Sequence, residues 1–225
     1  MKEVLIICKM MEAEGRAAIE STGSGAEVIW MEKGLHSRPE KLREELQKTM
    51  DQAERDFAPE RILLGYGFCG NAMAGLKAGS CELVLPRIDD CITLFIGSRE
   101  RKAALEGGVG TMFQTANWAE DTDESLLDQK KKLFEDYDED EAEYLFEMMF
   151  GHYGRIGVLD THCYDLEPVV KSSRAVAEAL GFDHQIYDAS NTFLVDLLSG
   201  GPFDEGRFIV KHPGETITLK DLRIE

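Results

Sequence analysis

The sequence predicts an α/β protein, with a mostly parallel sheet or sheets and helices on both faces. Three observations carry this. Apolar runs of strand length recur at Val4–Ile7, Ile62–Leu64, Leu83–Leu85 and Ile156–Leu159. Segments with helical spacing separate them. The alternation occurs twice, before and after the glycines at 107, 108 and 110. Two similar Rossmann-like lobes around a cleft, residues 1–108 and 109–225, explain the doubling. One continuous domain with a single sheet of about eight strands is the alternative.

Taken in order, Val4–Ile7 is the first strand, Met10–Ser21 has helical character, and Glu27–Met31 is the second strand. Ser37 and Pro39 then stand at a helix entry, and Leu42, Leu46 and Met50 repeat along one face. Ile62–Leu64 is the third strand, followed by a short helix from Asn71. After the strand Leu83–Leu85, Asp89 or Asp90 caps a helix through Cys91, Leu94 and Phe95. Thr111–Thr115 is a candidate strand, and residues 123–150 form one or two acidic amphipathic helices. Ile156–Leu159, His184–Tyr187 and Phe208–Val210 complete the strands, with helices over Leu166–Leu180 and Asn191–Leu198. The tail from Lys211 reads as loop or edge strand.

The 225 residues carry a formal net charge of −18, which repels nucleic-acid phosphates and anionic lipid. Neither nucleic acid nor a membrane is therefore an expected partner. No apolar run reaches the length of a membrane span. The opening MKEVLIICKMMEAEG reads as a strand rather than a signal peptide, so a cytoplasmic location is expected. The acidic stretch 120–147 reads as a solvated helix face or a docking surface for a basic partner.

The chemistry gathers at strand ends. Cys8, Cys69 and Cys91 each follow the C-terminal end of a predicted strand, the edge where open α/β sheets bind ligands. Cys81 precedes its strand and so falls on the opposite edge. There is no CxxC, so a zinc ribbon or ferredoxin-type run is excluded. A shared site at Cys8, Cys69 and Cys91 suits zinc or an iron–sulfur cluster, both of which take thiolates. The alternatives are small buried core residues or a metal-free redox or nucleophilic thiol.

Gly65, Gly67 and Gly70 match a GxGxxG dinucleotide pattern, but after the third strand rather than the first. Gly67 and Gly70 more simply let backbone pass close to whatever Cys69 holds. Arg87 on the same rim suits a carboxylate or phosphate, or a salt bridge to Asp89 or a neighbouring carboxylate. Asp160, His162 and Cys163 form a second polar cluster, from which His162 is a candidate further metal ligand; it also reads as a plain loop histidine. Glu14 follows Cys8 by one to two helical turns, and His36 stands at a helix entry or a cleft rim. There is no GxSxG and no visible Ser–His–Asp triad.

Several strings together resemble the DUF1638 family, a domain of unknown function in bacteria and archaea. They are the strand ending in Cys8 with Glu14 after it, LHSRPEKL at 35–42, LGYGFCGN at 64–71, PRIDDCITLFIGSRER at 86–101, GTMFQT at 110–115 and FGHYGRIGVLDT at 150–161. The family pattern carries cysteines at the positions of Cys8, Cys69 and Cys91. Genes of such proteins often lie beside corrinoid-dependent methyltransferase systems. The resemblance thus implies a role in one-carbon metabolism, with a corrinoid protein or methyltransferase as partner and a corrinoid reached through that partner. One expected function is a zinc–thiolate methyltransferase that passes a methyl group to a small-molecule thiol. The other is an iron–sulfur electron-transfer protein, or a carrier that delivers metal or corrinoid without catalysis of its own.

Overall fold

The computed structural model describes residues 1–120 and 125–223. The fold is α/β, with a mixed five-stranded sheet and a parallel three-stranded sheet. The chain divides into two compact units: Met1–Arg99 together with the stretch from Asn191 onward, and Glu100–Ser190. Residues 191–223 thus pack with the first unit, where the sequence reading draws the halves at 108.

In the first unit, β1 (Glu3–Cys8), β2 (Glu27–Met31), β3 (Arg61–Gly65) and β4 (Glu82–Pro86) are parallel in the order β2-β1-β3-β4. Val4–Ile7 and Ile62–Leu64 are at most 1% exposed. Such continuous apolar runs are what strands covered on both faces require. Helices α1 (Glu12–Thr22) and α2 (Pro39–Phe57) follow β1 and β2. Pro39 occupies the first turn of α2, and Leu42, Leu46 and Met50 are its buried stripe, as the spacing predicts. Helix α3 (Cys91–Ile96) follows β4.

One expectation fails locally. No helix forms from Asn71; the chain makes successive turns there. Cys69, Gly70 and Asn71 have φ of +44°, +67° and +67°, which a right-handed helix cannot contain.

The second unit contains α4 (Arg99–Glu106, whose first residue belongs to the first unit), β5 (Gly110–Gln114), α5 (Ala116–Glu120), α6 (Leu126–Asp136) and α7 (Glu139–Phe150). It continues with β6 (Tyr153–Asp160), α8 (Leu166–Leu180) and β7 (Asp183–Asp188). Its sheet is parallel in the order β5-β6-β7. Leu126, Ile156 and Ala177 form one buried cluster, and Ala116, Val158 and Val169 another. Residues 123 and 124 of the expected acidic helix lie outside the described residues. The remainder is the pair α6 and α7, whose acidic side chains are largely solvated.

The chain then returns to the first unit. Helix α9 (Thr192–Leu198) leads to β8 (Phe208–Lys211), which pairs antiparallel with β4. The direction of this last strand was not readable from its own residues. Among the described residues no helix is long and apolar enough to cross a membrane.

Candidate functional site

Strand order brings the cysteines together. In β2-β1-β3-β4 the sequence of strands reverses between β1 and β3, and ligands of open α/β sheets bind outside the C-terminal ends at such a switch. The β1–β3 ladder ends at Ile7 opposite Gly65. One residue further along, the two chains carry Cys8 and Tyr66. A Cβ on Gly65 would lie 2.7 Å from the Ile7 side chain, so only glycine lets the strands end this closely.

The loop after β3 is sewn to the loop after β4. Phe68 N–H donates to the Ile88 carbonyl at 2.8 Å, and Cys69 N–H to the Asp89 carbonyl at 3.0 Å. A Cβ on Gly67 would lie 2.5 Å from the Asp90 carbonyl carbon, so the absence of a side chain at 67 permits the contact. These restraints hold Cys69 Sγ 3.7 Å from Cys91 Sγ. Cys91 is the first residue of α3, and the Asp90 carboxylate caps that helix by accepting from Thr93 N–H at 2.6 Å. Cys69 holds a left-handed conformation that a side chain adopts at a cost, and such strain gathers at working sites.

The electrostatics favour the neutral thiol at Cys91. The hydrogen bond with Cys69, burial and the nearby Cys69 and Asp90 charges raise the Cys91 pKa well above the ordinary thiol value. The Gly67 N–H, which hydrogen-bonds the sulfur, opposes this. Among the described residues no group of three or more His, Cys, Asp or Glu is arranged to hold a metal ion. Cys8, Cys69 and Cys91 are 8%, 9% and 9% exposed, at the margin of the core rather than sealed in it. None of the five cysteines is in a disulfide.

Tyr66 is the residue that the sequence reading missed. It is 2% exposed, and its hydroxyl has no well-aligned hydrogen-bond partner. A buried hydroxyl left in that condition costs about 1–3 kcal/mol. Burial, and then the facing thiols of Cys8, Cys91 and Cys69, push its pKa far above the usual phenol value. It is therefore a neutral donor beside three sulfurs. The available signal was its position between Gly65 and Gly67, directly past the strand end.

Glu14, 0% exposed, stands in the first turn of α1, and its backbone carbonyl accepts from Asn191 Nδ2 at 2.8 Å. Arg87 is engaged structurally. Its Nε donates to the Glu205 carbonyl at 3.0 Å and an Nη to the Asp221 carbonyl at 2.7 Å, which holds the returning C-terminal segment. Asp89 pairs with Arg99, not with Arg87. Gly70, at φ +67°, belongs to the left-handed turn after Cys69.

His162 and Cys163 lie in the second unit, past the end of β6. The His162 Nε2 is 2.9 Å from Asp188 Oδ1 and its Nδ1 is 3.4 Å from Asp160 Oδ1. The Asp188 hydrogen bond and the Asp160 charge raise its pKa. Both ring nitrogens therefore already face carboxylates. The Cys163 thiol donates to the Thr161 carbonyl at 3.2 Å.

A family model described as a protein of unknown function, DUF1638, matches residues 30–198. The chain belongs to the DUF1638 family. The matched span holds Cys69, Cys91, Tyr66 and His162, whereas Cys8 and Glu14 precede it. No match is found among the curated proteins or among the solved structures.

Proposed function

We propose that Cys8, Cys69 and Cys91 are the protein ligands of a thiolate metal centre at the C-terminal edge of the first sheet. The observation that carries this reading is the 3.7 Å between Cys69 Sγ and Cys91 Sγ. Two sulfurs bound to one tetrahedral Zn²⁺ at about 2.3 Å stand about 3.8 Å apart. Thiolates of a four-iron cluster each bind a different iron and stand further apart, so the distance fits a single ion, or one iron of a two-iron cluster, better than a four-iron cluster. Cys8 is the third ligand because the strand order ends β1 beside β3. His162 is left out of this ligand set because its ring nitrogens are directed at Asp160 and Asp188.

A zinc held by three thiolates keeps one position open, where it lowers the pKa of a bound thiol and leaves it nucleophilic. Methyl transfer to such a thiol, with a corrinoid protein or methyltransferase as partner, is the function proposed for the centre. The link to corrinoid chemistry rests on the resemblance to the family. A reducing cytoplasm is the compartment that suits this use of thiols. We further read both units as Rossmann-like lobes, which the parallel strands of each sheet support.

The test is metal analysis with a visible spectrum of anaerobically purified protein, repeated on single variants. Zinc near one equivalent without colour is expected. Cys8→Ser, Cys69→Ser and Cys91→Ser each lose most of it, because a neutral hydroxyl replaces thiolate poorly. Cys81→Ser retains it. Brown colour with iron and sulfide would replace this reading with the electron-transfer one. Metal-free protein in which Cys69 and Cys91 oxidise to a disulfide would replace it with a dithiol.

A further inference from the structure

The Tyr66 hydroxyl has no place in the ligand set just described, yet it is buried at the same strand ends. Resting on the metal reading above, we propose that Tyr66 binds the exogenous ligand of this centre, donating a hydrogen bond to a small-molecule thiolate beside Cys8, Cys69 and Cys91. The register of β1 and β3 sets the placement, since Cys8 and Tyr66 directly follow the last paired residues Ile7 and Gly65. Tyr66 is 2% exposed and its hydroxyl lacks an aligned partner, so a donor is held in the interior, only loosely placed toward the Cys8 sulfur. The groups that face it are the thiols of Cys8, Cys91 and Cys69.

The chemistry then narrows the occupant. Once the three cysteines are ionised on a cation, each sulfur is an acceptor without a hydrogen, and so is a ligand that arrives as an anion. A phenol presents one hydrogen, which suits a single added acceptor. A soft cation on thiolate ligands takes sulfur before carboxylate oxygen. The incoming group is thus a thiol that releases its proton to solvent on binding, and the phenol stabilises the anion formed.

The experiment loads the wild-type protein and Tyr66→Phe with Co²⁺ and titrates each with 2-mercaptoethanol, following the sulfur-to-cobalt charge-transfer bands. Both proteins are expected to take the same amount of Co²⁺. Tyr66→Phe is expected to bind the thiol about ten- to a hundredfold more weakly, the loss of one hydrogen bond to a charged acceptor. Phenylalanine keeps the ring and removes a hydroxyl without an aligned partner, so the melting temperature should not fall. Equal thiol affinity in the two proteins would overturn the assignment. So would a loss of Co²⁺ in Tyr66→Phe alone, which would make the hydroxyl a support for a cysteine ligand. Failure of the wild-type protein to bind Co²⁺ would overturn the metal reading and this inference with it.

Discussion

Both edges of the first sheet carry buried cysteine, and they surround it in opposite ways. At the N-terminal edge, Arg61 is held by Glu3 at 2.9 Å and Glu82 at 2.8 Å, and an Nη also donates to the Gly200 carbonyl at 3.2 Å. Its guanidinium stacks over the Phe203 ring at 4.9 Å. Cys81, at the same edge, hydrogen-bonds Glu54 at 3.5 Å, and burial followed by the Glu54 charge pushes its thiol up to about 12. At the C-terminal edge the Cys69 and Cys91 sulfurs face each other, and the Tyr66 hydroxyl goes without an aligned partner. Buried polar groups are almost always satisfied. A satisfied network is accounted for by holding the fold together; the unsatisfied hydroxyl at the topological switch point is the group that the proposed ligand would engage. That difference rests on the Tyr66 hydroxyl, since the Cys91 sulfur, like that of Cys81, has hydrogen-bond partners.

The largest expected effect breaks the satisfied edge. Arg61→Met leaves two mostly buried carboxylates without their cation and should cost about 3–5 kcal/mol of stability. Chemical denaturation measures this. Metal content per folded molecule should be unchanged, because the substitution is at the far end of the strand from the cysteines. A drop in bound metal among folded molecules would show that the edges are not independent.

Gly67→Ala should have a smaller effect on stability, about 1–3 kcal/mol, because its new Cβ meets Asp90 backbone rather than a flexible side chain. It pushes apart the loops that carry Cys69 and Cys91, so bound metal should fall together with stability. Unchanged metal content would mean that the two sulfurs do not depend on this backbone contact.

The smallest effect is a pH dependence at the N-terminal edge. Burial alone would raise the Glu54 pKa, but hydrogen bonds from Ser80 N–H and hydroxyl, Cys81 and Gly79 N–H together lower it. A lowered carboxyl pKa contributes stability that is present above its unfolded value and is lost as pH falls through the folded one. Glu54→Gln should therefore cost about 1 kcal/mol near neutral pH. The difference from wild type should shrink as the solution becomes more acidic than the unfolded carboxyl pKa, about 4.3. Thermal melts of both proteins across that range check the sign. A difference that grows on acidification would show that Glu54 is not held ionised.

Several elements could be read from the residues alone because local chemistry decides them. Pro39 with Leu42, Leu46 and Met50 dictates α2, the runs at 4–7 and 62–64 dictate buried strands, and Asp90 dictates the start of α3. Each depends on spacing and capping within a few residues. That the cysteines follow strand ends was legible for the same reason. Their grouping at one edge, with Cys81 left out, was read from the same rule, and the Cys69–Cys91 contact agrees with that part; the contact itself is made by strand order and loop pairing between segments far apart in the chain. The Phe68 and Cys69 hydrogen bonds to the loop after β4 bring Cys69 to Cys91. The left-handed turn at Cys69–Asn71 replaced an expected helix, because adjoining backbone settles φ there and helix propensity does not. Arg87, a rim residue in the sequence, became a clamp on the returning C-terminal segment once β8 paired with β4. Tyr66 gained its meaning in the same way: a tyrosine between glycines is unremarked in a sequence, and only burial beside three sulfurs leaves its hydroxyl without an aligned partner.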